Sequence, residues 1–581
     1  MSGHDPLALA EWQRIRHYAV PQRMIAECAA ARQRGDQRAA WAAGRIDVSE
    51  AAAALVPHLA PDLLRWHLPR ALGGHTTLAV DRTYVLVPAG AVFDPEAVVP
   101  VLEAVPSMFG SQRLSVGTAD WAQLDPSEVS LLPAHLWDAR HADELRAAIG
   151  GSADRAPGFT AAGEQLPVEM LGTGDDPAAR AERVRLSPTI AGAFAEAGFV
   201  LGDDPSVLWP GYDDDATLRT VDPIRLIGQV RLLARGFGLT TSVLWTAYSQ
   251  FLQFDVDGDY VLVTWQSVAG RYSAAERKLP RLDPELARYQ VDLDLVRGAR
   301  ITPAGLHPMV REALFPGASG LPTEPAAGLA SQAPVSAGLA PATAPVPPAG
   351  PVPAPAASSG PTAAADSGPM AAAGPAPAAV GHVRVRCRGH WHEVGVRLGR
   401  LDLHGHTDAE RQRERAMSAF GGTVSGCFAA EQTWHGAPGR LPRRLRAHRE
   451  DLWQLMIHGG TRTVFELLDA GMNPHLRDSR GRTLMHRARA FDHVRLLPRL
   501  IAEGLDVNAR DKEGSTPLYL AVIHRWPADL IIALIDAGAD PHLPNQYDMS
   551  VLDHCEDYLD YLEDLDPDFE SAIAYLRKRS P

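Results

Sequence analysis

Lysine is almost absent from this 581-residue chain: Lys278, Lys512 and Lys578 are the only three, and the other basic residues are arginines. With the abundance of Ala, Gly and Pro, this marks a high-GC coding bias of the bacterial kind. Arginine richness alone therefore carries no message about phosphate recognition. Cysteine is scarce too. Cys28, Cys387, Cys427 and Cys555 lie far apart with no CxxC pair, which argues against a disulfide framework and against a four-thiolate zinc site. No apolar run reaches the roughly 18 residues that a membrane span needs. The N-terminal stretch MSGHDPLALAEWQRIRHY is broken by charges and has no signal-peptide core, so the expected location is cytoplasmic. Acidic residues outnumber basic ones by 70 to 56, a net charge of −14, whereas a general nucleic-acid or membrane binder leans the other way.

Length points to about three or four domains. The clearest boundary is 316–380, which contains neither Arg, Lys nor any aromatic residue. Such a segment cannot bury enough apolar area to offset its ordering entropy. It is expected to be a disordered Ala/Pro/Gly linker, with ends roughly 45 Å apart as a flexible coil. The fold class is accordingly multidomain: an α+β part at 1–315, the linker, a β-hairpin and helix module at 381–440, and an all-α solenoid at 441–581.

Within 1–315, residues 5–56 carry helical spacing broken at Pro21 and Pro57, and TTLAVDRTYVLVP (76–88) suggests a hairpin. DPIRLIGQVRLLARG (222–236) places Ile224, Ile227, Val230 and Leu233 on one helical face behind Asp222-Pro223. TTSVLWTAYSQFLQF (240–254) is expected as a second helix, DGDYVLVTWQSV (257–268) as a strand after a turn, and 150–185 as a polar loop that could divide two subdomains. GxSxG, a Walker-type loop, HExxH and GxGxxG are absent in any fitting context. The acidic runs at 203–204 and 213–215 read as turns. DVDGDY (255–260) lacks the sixth-position Gly and the terminal Glu of a calcium loop, and also reads as a turn.

After the linker, GHVRVRCRGHWHEVGVRLGRLDL (381–403) reads as strand–turn–strand. HTDAERQRERAMSAFGG (406–422) reads as a helix capped by Thr407 and Glu410 and ended at Gly421. Two HxH pairs, His390/His392 and His404/His406, lie near Cys387. Residues i and i+2 of a strand share a face, so the pairs could converge on a metal. Their spacing matches no known zinc motif, however, and the expectation is a polar hairpin face with surface histidines and no cofactor. The basic stretch GRLPRRLRAHRE (439–450) has no interleaved aromatics, so it reads as a solvated helix rather than a nucleic-acid contact.

The last 140 residues are periodic. DSRGRTLMHRARAFDHVRLLPRLIAEGLDVNAR (478–510) is followed by DKEGSTPLYLAVIHRWPADLIIALIDAGADPHLP (511–544), and Gly471, Gly504 and Gly538 recur 33 and 34 residues apart. This pattern resembles ankyrin repeats over about 445–581, with 452–477 as a capping copy and 545–578 closing the stack. Gly481 and Gly514 suit a turn position with positive φ. Thr483 and Thr516 suit helix caps, Pro517 suits a first helical turn, and Leu518 suits the apolar stripe between repeats. The copies depart from the pattern at Leu484, at Tyr519 and at Ser550–Asp553. The resemblance implies a non-catalytic protein that docks a protein partner through hairpin tips and the inner helix face. On this chain those positions are Arg480, Arg482, Lys512, Glu513, Ser515, Trp526, Gln546 and Tyr547, with Phe491 and His524 beside them. The alternative is an enzyme or effector in the N-terminal part, targeted by the repeats.

Overall fold

The computed structural model describes residues 4–318 and 381–579, apart from 5, 70–77, 80–81, 93, 104–112, 203–215, 248–249, 268–278, 388, 404, 421–423, 436–438 and 557–565. The linker expected at 316–380 lies outside the described residues except for Pro316–Ala318, and so do the acidic runs at 203–204 and 213–215, His404 and Gly421. The chain divides into two compact units. One comprises residues 1–326, 449–469 and 474–581, the other residues 327–448 and 470–473.

The first unit opens with helices Pro6–Tyr18, Gln22–Gln33 and Gln37–Ala43. Pro21 parts the first two because its extended backbone (φ −66°, ψ 150°) cannot continue a helix. Strands β1 (Ile46–Val48), β2 (Thr83–Val87), β3 (Val98–Glu103), β4 (Leu114–Asp120) and β5 (Val129–Pro133) then form a mixed sheet ordered β1-β4-β3-β2-β5. Of the hairpin expected at 76–88, residues 76–77 and 80–81 lie outside the described residues. TYVLV is a single strand between antiparallel β3 and parallel β5. Tyr84 and Leu86 enter one core while Val85 and Val87 enter another, and a strand buried on both faces shows an unbroken apolar run with no alternation to read.

A second sheet, ordered β6-β9-β8-β7, contains β6 (Val200–Leu201), β7 (Thr241–Ala247), β8 (Gln250–Asp257) and β9 (Tyr260–Ser267). The helix expected at 240–254 is thus two antiparallel strands, with Leu244 paired to Leu252 in the core. β-Branched and aromatic residues suit that pleated surface better than a helix. Helix Pro223–Phe237 starts where the sequence places it. The Asp222 side chain accepts the Ile224 N–H, and Leu226, Ile227, Val230 and Leu233 are buried against this sheet. Residues 150–185 make no break within the unit. Helix Pro177–Leu186 sets the buried Glu182 carboxylate to accept from Gly158 N, Gly172 N and Arg155 Nη1 at 2.6–2.7 Å.

A third core gathers the first two helices with Val291–Arg297 and Pro308–Leu314. Two buried carboxylates there are paired, as burial demands. Arg16 meets Asp292 at 2.8 Å. Burial alone would raise the Asp62 carboxyl, but His307 and Arg32 draw it to about 2.

The repeats follow in the same unit. Helix Arg443–Asp469 is parted at Gly460, whose backbone (φ 71°, ψ −167°) is not helical. The capping copy lacks a turn of its own and is covered by N-terminal residues. Leu455 packs on the third core, Arg45 Nη1 donates to His458 O at 2.5 Å, and Arg23 pairs with Glu466 at 2.8 Å. Beyond it come the 3-10 helix Met485–Ala490 and the helices His493–Ala502, Pro517–Ile523, Ala528–Asp536, Val551–His554 and Pro567–Arg579. No described helix is long and apolar enough to cross a membrane.

Leu518 is fully buried in this stack. Leu518→Ala is expected to cost about 2–5 kcal/mol, whereas Lys512→Ala, on the surface, should stay within about half a kcal/mol. Pulse proteolysis of the full chain across a urea series, read at cuts within 478–554, distinguishes the two; equal losses would show that the repeat register is wrong.

Candidate functional site

Three turns, at 478–482, 511–515 and 545–549, are built alike. Asp478 Oδ1 accepts from Arg480 N and Arg482 N at 2.8 and 2.9 Å. Asp511 Oδ1 accepts from Glu513 N and Ser515 N, both at 2.9 Å. Asn545 Oδ1 accepts from Tyr547 N and Met549 N at 2.8 and 3.2 Å. A short side-chain acceptor is what a tight turn with inward amides needs. The turns are also joined to each other: Lys512 N donates to Arg480 O at 2.9 Å, and Gln546 N to Glu513 O at 2.8 Å. Gly514 serves this ladder twice over. Its φ is +74°, and a Cβ there would stand 3.0 Å from Gln546 N. Gly481 stands likewise against Lys512, with φ +78°.

The ladder sorts the residues expected at the tips. Arg480, Lys512, Glu513, Gln546 and Tyr547 are exposed, Tyr547 by 75%. Lys512 Nζ reaches back to Ser479 O at 2.8 Å. Three expected contact residues are corrected. Arg482 is buried because its guanidinium turns inward to Asp511 at 3.2 Å. Ser515 is buried because its amide and carbonyl are both used within the ladder. Trp526 is buried, its amide bonded to Ala521 O. Phe491 is buried as well, while His524 is exposed.

Gly471, Gly504 and Gly538 have φ of 89°, 80° and 91°. Thr516 caps Pro517–Ile523 by accepting from Tyr519 N at 3.1 Å, and Pro517 takes the first turn. Thr483 differs. Its amide donates to His486 Nδ1 at 3.1 Å, and its hydroxyl lies 2.9 Å from the same nitrogen instead of capping an amide. His486 Nε2–H then donates to Ser515 O at 3.1 Å, tying one repeat to the next. Ser550 and Asp553 form a capping box that replaces the missing turn motif of the last copy.

The family model for ankyrin repeats in three copies matches residues 452–545. Residues 452–545 are ankyrin repeats. The chain is 37% identical over 81 residues to an ankyrin repeat-containing protein of Schizosaccharomyces pombe, covering 14% of this chain and 39% of that one. It is 34% identical over 134 residues to the mitochondrial disaggregase of Bos taurus (22% and 18%), and 34% identical over 76 residues to an ankyrin repeat protein of fowlpox virus (13% and 17%). The chain therefore spans under two fifths of the length of these curated relatives.

Two further features lie outside the ankyrin repeats. In the second unit, His392 and His406 come together, with His392 Nδ1 2.7 Å from His406 Nε2. His390 remains exposed at the hairpin end. Cys387 joins the two histidines, and so does Cys427, which sequence spacing did not single out: it lies 21 residues beyond His406. Its only local signal is the Gly426 that precedes it. In the first unit, a cavity of about 490 Å³ is lined by Glu182, Arg185, Asp222 and Arg297, among others. Burial pushes the Asp222 carboxyl up to about 6, against the pull of Arg225.

His486 makes the ankyrin stack sensitive to acid. Burial, aided by Arg482, draws its imidazole down to about 4, and a proton on Nδ1 would break the Thr483 contact. The unfolded histidine titrates near 6.5, so below that pH the unfolded chain binds the extra proton. Stability is complete above about pH 6.5 and falls, by roughly 3 kcal/mol in all, as pH drops toward about 4. Urea unfolding read within 478–554 at about pH 7.5 and about pH 4.5 should show a smaller acid loss for His486→Gln than for the native chain. Identical pH slopes would exclude His486 as a source.

Proposed function

We propose that the chain is a non-catalytic interaction protein that docks a protein partner through the tips of its ankyrin stack. One observation carries the reading: the turns are locked to one another by main-chain hydrogen bonds, while Arg480, Lys512, Glu513, Gln546 and Tyr547 point out of them into solvent. A rigid row that mixes an exposed tyrosine with arginine and lysine has the composition of protein-binding hot spots, and its pre-set backbone lowers the ordering cost of binding. Charge supports a protein rather than a nucleic acid as partner, since the chain carries −14. The Ala/Pro-rich stretch at 316–380 then acts as a tether for the module that follows it, while the N-terminal part, in one compact unit with the repeats, is carried directly to whatever they bind.

The test is crosslinking capture by the full chain, followed by an affinity measurement with the protein recovered. Arg480→Ala/Lys512→Ala/Tyr547→Ala should leave unfolding unchanged within about a kcal/mol and weaken that affinity at least about tenfold, a loss of about 1.4 kcal/mol. Unchanged affinity in the folded variant would remove the tips from the binding site. A second reading, an enzyme or effector in the N-terminal part, is favoured by the Glu182/Asp222 cavity with its two arginines. Turnover by the full chain that Asp222→Asn abolishes without unfolding would make it the better reading.

A further inference from the structure

The sheet of the second unit brings together four side chains whose chemistry the docking function does not use. Strands β10 (Gly381–Cys387), β11 (His390–Arg397) and β12 (Arg400–Leu403) are antiparallel and lie in that order. Cys387 stands opposite His390, and Val385 opposite His392. Alternation therefore puts Val383, Val385, Cys387, His392, Val394 and Val396 on one face. The valines and Cys387 are buried, while Arg384, Arg386, Trp391 and Glu393 on the other face are exposed. The face expected to be polar is thus the inner one, and a histidine has been set into it beside a cysteine.

The other two members arrive from outside the hairpin. His406 precedes helix Asp408–Ala419, where Thr407 and Glu410 form a reciprocal cap: Thr407 N donates to Glu410 Oε2 at 3.0 Å, and Glu410 N to Thr407 Oγ1 at 3.3 Å. That cap fixes the point from which His406 turns back to the sheet. Cys427 sits in the first turn of helix Gly426–Trp434. Gly426 has φ +64°, and a Cβ on it would lie 2.5 Å from Cys387 Sγ and 2.8 Å from Cys387 Cα. Only glycine lets this helix start approach β10 closely enough to bring the two sulfurs together.

The ligand atoms of Cys387, His392, His406 and Cys427 all lie within 4.8 Å of one another. A tetrahedral zinc ion, with Zn–S about 2.3 Å and Zn–N about 2.0 Å, has ligand-to-ligand spacings of about 3.3–3.8 Å. The four atoms meet that shell after shifts of an ångström or so, chiefly by parting the 2.7 Å imidazole contact. Support around the cluster is of the kind metal ligands receive. His406 presents Nε2 to the cluster, and its Nδ1 lies 3.7 Å from Glu410 Oε2, within ion-pair reach of a carboxylate beyond the ligand shell. The Phe428 ring packs on His406 with centroids 4.6 Å apart and limits water on that side.

We infer that Cys387, His392, His406 and Cys427 are the four ligands of a structural zinc ion. Two thiolates and two imidazoles with no carboxylate in the set suit a borderline-soft cation and exclude calcium or magnesium. Four protein donors close the shell, which is the arrangement of a structural rather than a catalytic zinc. Size supplies an independent reason. The described part of this unit is about sixty residues, and its buried apolar side chains are few: four valines, four leucines, Phe428, Ala430, Trp434 and Met472 beside the two cysteines. A domain this small is at the margin of what a hydrophobic core can hold alone, and a metal is one of the usual remedies. The ion would join the hairpin, the His406 cap and the Cys427 helix, which are also linked by apolar contacts and by Trp434 Nε1 donating to Gly399 O at 2.9 Å.

The experiment uses the full chain, expressed with zinc and freed of loose metal by gel filtration. Elemental analysis should find about one zinc per chain. Exchange into cobalt should give the visible bands of a tetrahedral ion together with a thiolate-to-cobalt charge-transfer band, a readout that needs no variant to fold. Cys387→Ser/Cys427→Ser should bind no zinc, His390→Ala should keep its full complement, and Glu410→Gln should keep the ion but bind it about tenfold more weakly. Metal-free protein that takes up no cobalt would overturn the assignment. So would recovery of Cys387 and Cys427 as a disulfide, or zinc retained by the double serine variant.

Discussion

A single repeat of this kind cannot bury its own apolar stripe, and the C-terminal part of the chain is organised around that shortage. The answer in this chain is a repeated acceptor: Asp478, Asp511 and Asn545 each collect two amides of their own turn and so free the turn backbone to pair with its neighbour. His486 adds a side-chain bridge from one repeat to the carbonyl of Ser515 in the next. Because the links run mainly through main chain and buried side chains, with Lys512 Nζ to Ser479 O an exception, the outward positions are largely released from structural duty. They can vary in chemistry without loosening the stack, which is the condition a docking surface needs. The same shortage accounts for the ends. The last copy caps itself with Ser550 and Asp553, and the first borrows cover from the N-terminal part through Leu455, Arg45 and Arg23.

That borrowing changes how the chain's parts are related. Composition alone suggests two folded halves on either side of 316–380. The contacts of 449–469 place the start of the stack in one compact unit with residues 1–318, leaving the β10–β12 module as the separate body. The grouping is sensible on energetic grounds. A lone capping helix gains little by standing free, whereas Leu455 gains burial against an existing core.

What the sequence made legible follows from where each residue's constraint is written. Gly481, Gly514, Thr516 and Pro517 answer to local backbone geometry, so their period is visible without a structure. Helix Pro223–Phe237 was legible for the same reason, with a cap and a periodic face in one short stretch. TYVLV and 240–254 were not. Two-sided burial erases alternation in the first, and an apolar run in the second fits either period until its strand partners are known. Exposure at the tips was only half legible. Arg482 and Ser515 look like loop residues until the next turn closes over them. The cysteine–histidine cluster shows the extreme case. Cys387, His392 and His406 sit on a readable strand or cap, but Cys427 enters from a helix whose place depends on Gly426 and its close approach to β10.

The central claim is that the turns at 478–482, 511–515 and 545–549 form one cooperative ladder on which the exposed residues are rigidly presented. Hydrogen exchange of the full chain, resolved at single amides, tests it most directly. The ladder amides of Arg482, Lys512, Ser515, Gln546 and Met549 should exchange together, as slowly as the helices Pro517–Ile523 and Ala528–Asp536 between them. Turn amides that exchange fast and independently while those helices stay protected would contradict it.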